Sequence, residues 1–124
     1  MIIEINDVKT RLKTFGYEAT EDDEGAIEYL IAKVGEDIRV WTNLGEVPEG
    51  LKYEWIDAVC GEFLQLYLGM GKLENVPQVV KSIREGDTTV TLAENMSAEA
   101  QLLTCIKSLR LSKTAMVRYR VMRW

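Results

Sequence analysis

The sequence predicts a mainly α fold, a small bundle of about four helices with one β-hairpin inserted before the last of them. Three observations lead there. Four segments carry apolar residues at the 3.6-residue spacing of a helix that buries one face. Glycine and proline punctuate the gaps between them. One stretch, 79–92, reads instead as two short β-rich runs about a Gly-Asp pair. With 124 residues, 47% hydrophobic and 28% charged, the chain suits a single domain over 1–124 and is too apolar for disorder.

The first helix is expected from about Asp7 to Phe15. Asn6 is placed to cap it, Val8, Leu12 and Phe15 form its stripe, and Gly16 supplies a left-handed stop. The second begins after Thr20 with Glu21, Asp22, Asp23 and Glu24 in its first turn. Ile27, Leu30, Ile31, Val34, Ile38 and Trp41 then follow at helical spacing. The acidic run is explained by the positive end of the helix dipole rather than by a cation, because a metal site needs ligands converging from elsewhere. After a loop holding Gly45, Pro48 and Gly50, a third helix is expected from about Leu51 to Gly69 or Met70. Its stripe is Ile56, Val59, Phe63, Leu66, Tyr67 and Met70, widened by Trp55, Leu64 and Leu68. That breadth marks a central core helix or one touching a second subunit. Gly61 in its middle costs ~1 kcal/mol against alanine, which points to close approach of another backbone.

Pro77 marks a loop before VVKSIREGDTTVTL, the predicted hairpin at 79–92. Its turn comprises Glu85, Gly86, Asp87 and Thr88, with Gly-Asp at the centre as a type II′ turn favours. Val90 and Leu92 alternate with Thr89 and Thr91. A lone two-stranded hairpin is marginal in water, so it should lie on the helices or pair with a neighbouring molecule. Ser97 then caps a last helix to about Lys113, with Leu102, Ile106 and Leu109 as its stripe, and a basic tail closes the sequence over about 114–124.

The net charge of −5 is unevenly spread. Residues 1–80 hold 7 Lys and Arg against 16 Asp and Glu, a balance of −9, while 81–124 hold 8 against 4, a balance of +4. Beyond Glu99 there is no acid, and Lys107, Arg110, Lys113, Arg118, Arg120 and Arg123 follow. An acidic body with a basic tail can attract a copy of itself, an acidic partner or nucleic acid. The longest apolar region, 55–70, is broken by Asp57 and Glu62 and is too short for a membrane span, so a soluble, cytoplasmic protein with no membrane partner is expected. Cys60 and Cys105 are read as reduced core thiols.

Catalytic equipment is sparse. Without histidine the chain lacks the commonest general base and metal ligand, and it has no GxxxxGK[ST] loop. Glu54, Asp57 and Glu62 are read as the solvated edge of an amphipathic helix and not as an acid–base pair. No catalytic residue, cofactor or metal site is therefore expected, and the protein is read as a non-enzyme.

Four stretches in this order carry a family resemblance: TEDDEGAIEYLIAKV, VPEGLKYEWIDAVCGEFLQ, VKSIREGDTTVTL and the closing YRVMRW. The chain resembles the head–tail connector (head-completion adaptor) proteins of tailed bacteriophages and related prophages of Gram-positive bacteria. The stretch 93–96 is shorter than the loops of that family at the same place. The resemblance implies a helical bundle with an inserted hairpin, a homo-oligomeric ring beneath the portal, and a structural role in virion assembly. It implies contacts with portal and tail-completion proteins, location at the head–tail interface of the virion, and passage through the host bacterial cytoplasm during assembly.

Arg118, Tyr119, Arg120, Arg123 and Trp124 are the candidate interface residues, since Arg and aromatic side chains are enriched at binding hot spots. The competing expectation is a small nucleic-acid-binding module in which Tyr119 and Trp124 stack on bases. The acidic body would repel a duplex, so no specific nucleic-acid partner is expected.

Overall fold

The computed structural model describes residues 2–73, 76–86, 97–111 and 116–120. Helix α1 spans Ile5–Thr14 and starts earlier than its apolar stripe suggests, because Glu4 and not Asn6 is its N-cap. The backbone N–H of Glu4 donates to Asp7 Oδ2 at 2.9 Å. Val8, Leu12 and Phe15 are buried as expected. Gly16 ends the helix at φ +86°, with Tyr17 N donating to Leu12 O and Gly16 N to Lys13 O, each at 3.0 Å. These are the two bonds of a Schellman stop, which needs a left-handed residue at this place.

A 3₁₀ turn over Glu21–Asp23 leads into α2, Glu24–Thr42, and a second over Glu49–Leu51 leads into α3, Lys52–Gly69. Helix α3 is the hub, packed against α1, α2 and α5. Val59, Cys60, Phe63 and Leu64 are wholly inaccessible, which is why its sequence is apolar on more than one side. Leu66 and Met70 depart from the predicted stripe and are exposed. Two glycines set the helix spacings. A β-carbon at Gly61 would lie 3.1 Å from Leu109 Cβ and 3.6 Å from the Ile106 carbonyl, so the backbone approach inferred from the sequence is that of α5. At Gly35 on α2 it would lie 2.7 Å from the Trp55 ring, whose Nε1 donates to Ile31 O at 3.1 Å. Gly71, at φ +70°, closes α3 with the same pair of bonds as Gly16, from Lys72 N to Tyr67 O and from Gly71 N to Leu68 O.

The predicted hairpin is not present as drawn. Residues 79–86, including Glu85 and Gly86 of the proposed turn, belong to helix α4, Val76–Gly86. Asp87, Thr88 and the second run to Leu92 lie outside the described residues. The physical reason is periodicity. Val76, Val79, Val80 and Ile83 recur at i, i+3, i+4 and i+7, and the last three are buried, so the helical stripe outweighs the β preference of Val and Ile. Pro77 falls in the first turn, where its missing N–H is not needed. No strand occurs among the described residues.

Ser97 caps α5, Ala98–Lys107, its Oγ accepting from Ala100 N at 3.2 Å. The helix stops earlier than expected, in a turn over 108–110. Cys60 and Cys105 are both buried thiols, and burial pushes the Cys60 thiol far above its usual range. Among the described residues no helix is long and apolar enough to cross a membrane.

Candidate assembly interface

Beyond α5 the chain returns to the body. Met116 is buried, and a 3₁₀ turn over Val117–Tyr119 lays Tyr119 across the junction between α2 and α3. There the Tyr119 hydroxyl occupies the space a β-carbon of Gly50 would fill. Arg120 places its guanidinium 4.8 Å from the centroid of the Trp41 ring, within cation–π range. Arg118 and Val117 face solvent. Of the five candidate interface residues, Tyr119 is thus turned onto the body, Arg120 lies over Trp41 while still exposed, and Arg118 is exposed. Arg123 and Trp124 lie outside the described residues.

Three features of the surface and core were not singled out from the sequence. The first is a buried carboxylate. Asp23, 6% exposed, accepts from Tyr67 Oη at 2.6 Å, Tyr17 Oη at 2.9 Å and Thr20 N at 3.0 Å. Burial alone would raise its pKa, but these donors together outweigh that and hold it below the usual carboxylate range. Its two tyrosines respond the other way: burial and the facing carboxylate push Tyr67 up to about 12 and Tyr17 higher still. Phe63 lies 4.1 Å from Tyr67 and 5.3 Å from Tyr17, centroid to centroid, so the polar knot sits on the aromatic core. Of the acidic run expected in the first turn of α2, Glu21 and Asp22 lie exposed in the 3₁₀ turn ahead of it and Glu24 begins it, while Asp23 is a buried structural node. A Tyr six residues before an Asp in a loop was the only trace of it in the sequence.

The second is a groove of about 530 Å³ between α1 and the start of α3, lined by Asp7, Thr10, Arg11, Tyr53, Ile56 and Asp57 among others. Arg11 Nε meets Asp57 Oδ1 at 2.7 Å along it. Asp57 is therefore committed to α1, while Glu62 faces Lys33 of α2 at 3.9 Å, so these two carboxylates serve different neighbours. The third is a set of exposed apolar side chains, Tyr29 and Val40 on α2, Tyr53 and Leu66 on α3 and Met70 just past its end. Among the described residues no three Cys, Asp or Glu side chains converge as metal ligands would.

No protein-family model, curated protein or solved structure matches this chain.

Proposed function

We propose that this protein is a structural virion-assembly subunit, a ring-forming adaptor between a phage portal and the proteins that complete the tail. The reading rests on the ordered resemblance of its four stretches to head–tail connector proteins. Two of those, TEDDEGAIEYLIAKV and VPEGLKYEWIDAVCGEFLQ, fall on α2 and α3, the elements that build the body of the bundle. The third, VKSIREGDTTVTL, begins in a helix and so supports the reading as sequence only.

The observation that carries the reading is the closing basic stretch. Its described part, 116–120, holds a 3₁₀ turn that leaves Arg118 exposed, in a chain whose first 80 residues carry a charge of −9. An exposed arginine on a strongly acidic molecule suits a partner of opposite charge, such as another copy or an acidic rim. Co-expression with a portal protein, followed by size-exclusion chromatography and electron microscopy, tests it. A ring stacked on the portal is expected. A chain that elutes alone beside an intact portal rejects the adaptor role. DNA binding that weakens steeply with salt would favour the nucleic-acid module instead.

A further inference from the structure

Trp41 and Gly50 are far from 116–120 in sequence, yet together they form a seat that this segment fills. Gly50 supplies the floor, because only a residue without a side chain leaves room for the Tyr119 hydroxyl. Trp41 supplies a wall, on whose ring the Arg120 guanidinium rests at 4.8 Å. The charges match as well. Between Thr42 and Leu51 the chain holds Glu46 and Glu49 and no basic residue, while 116–120 holds Arg118 and Arg120 and no acid. Nothing in these contacts depends on covalent continuity between seat and segment.

We infer that the Trp41–Gly50 surface is a docking seat for an arginine- and tyrosine-bearing segment, filled in the single chain by its own 116–120 and, between assembled copies, by the same segment of a neighbour. The trans part rests on the self-association proposed above; the seat itself does not. The two occupants make identical contacts, so effective concentration decides between them. Seat and segment belong to one chain, which holds the local segment at roughly millimolar effective concentration. A neighbour therefore competes only where assembly brings its own segment to a comparable level, and exchange is confined to the assembled state.

The test uses the full chain and a fluorescein-labelled peptide of residues 114–124. Tyr119→Ala with Arg120→Ala empties the seat, and this variant should bind the peptide at least tenfold more tightly than the unmodified chain, whose seat is filled. Adding Gly50→Ala to the emptied variant puts a methyl where the Tyr119 hydroxyl goes and should remove that gain. Equal binding with and without Gly50→Ala would show charge attraction without a seat and overturn the inference. So would absence of binding to an emptied variant that circular dichroism shows to be folded. Should that variant not fold, the unmodified chain serves. Excess unlabelled peptide should displace the local segment and speed hydrogen exchange at the Tyr119 and Arg120 amides several-fold, and an unchanged rate overturns the inference. Neither readout involves a portal, so a failure to form rings would reject the adaptor role and leave the seat standing.

Discussion

Asp23 shows how a single side chain ties three parts of the fold together. Its carboxylate joins the loop before α2, through Tyr17 and Thr20, to α3, through Tyr67. A buried charge survives only when its lone pairs are filled, and donors from Tyr17, Thr20 and Tyr67 fill them here. Removing one donor leaves an acceptor stranded, so Tyr67→Phe should cost ~1–3 kcal/mol in urea denaturation. The pH dependence follows from the direction of each shift. The folded pKa of Asp23 lies below the ordinary carboxylate value of 3.8, so its contribution is present above that pH and is lost as the carboxylate protonates below it. Tyr67 is shifted from 10.0 up to about 12, so its contribution is complete below pH 10 and disappears as pH rises through 12. Thermal melts of Asp23→Asn should therefore show a shallower loss of stability below about pH 4 than the unmodified protein. Parallel acid limbs would remove Asp23 from this role.

At the scale of elements, the α2–α3 pair is set by a glycine whose substitution brings two effects into opposition. Helix propensity alone makes Gly35→Ala stabilising by ~1 kcal/mol. The new methyl would lie 2.7 Å from a Trp55 ring held by its own hydrogen bond to Ile31, and overpacking of that kind costs ~1–3 kcal/mol. The clash should win, and a higher melting temperature for Gly35→Ala would show that Trp55 yields easily. Phe63→Ala should cost ~3–5 kcal/mol, since the ring is wholly inaccessible and stacked among Tyr17 and Tyr67. These elements were legible from spacing: the stripes of α1 and α2, that of α3 apart from Leu66 and Met70, the Gly16 stop and the Ser97 cap all follow from the residues in place. Helix α4 was not, because Val79, Val80 and Ile83 carry β preference and Gly86-Asp87 mimics a hairpin turn. Only burial of the i, i+3, i+4, i+7 set tells the two apart. The candidate interface was legible in part for a related reason. Residue type marks Tyr119 and Arg120 as contact-forming, but their partners Trp41 and Gly50 are brought to them by the packing of whole helices, which no local pattern encodes.

For the molecule as a whole, the closing basic stretch must be divided between holding the body together and meeting a partner. Met116 is buried, Tyr119 half-buried and Arg120 set on Trp41, so part of the stretch covers the chain's own helices. Tyr119→Ala should accordingly lower stability by about 1 kcal/mol, the share of an aromatic side chain that is only partly removed from water. Arg118 is exposed, and substitutions at such positions usually change stability by less than ~0.5 kcal/mol. Arg118→Glu reverses an exposed charge of this stretch and leaves the Arg120–Trp41 contact in place, and a rim charge acts on encounter and partner choice more than on folding. The expected outcome is a melting temperature close to that of the unmodified protein, with capture by the portal reduced at low salt and the difference shrinking as salt rises. Unchanged capture at low salt would move the contact away from Arg118. A large loss of melting temperature would instead make Arg118 part of the body, and the division drawn here between a covering and a displayed face would fail.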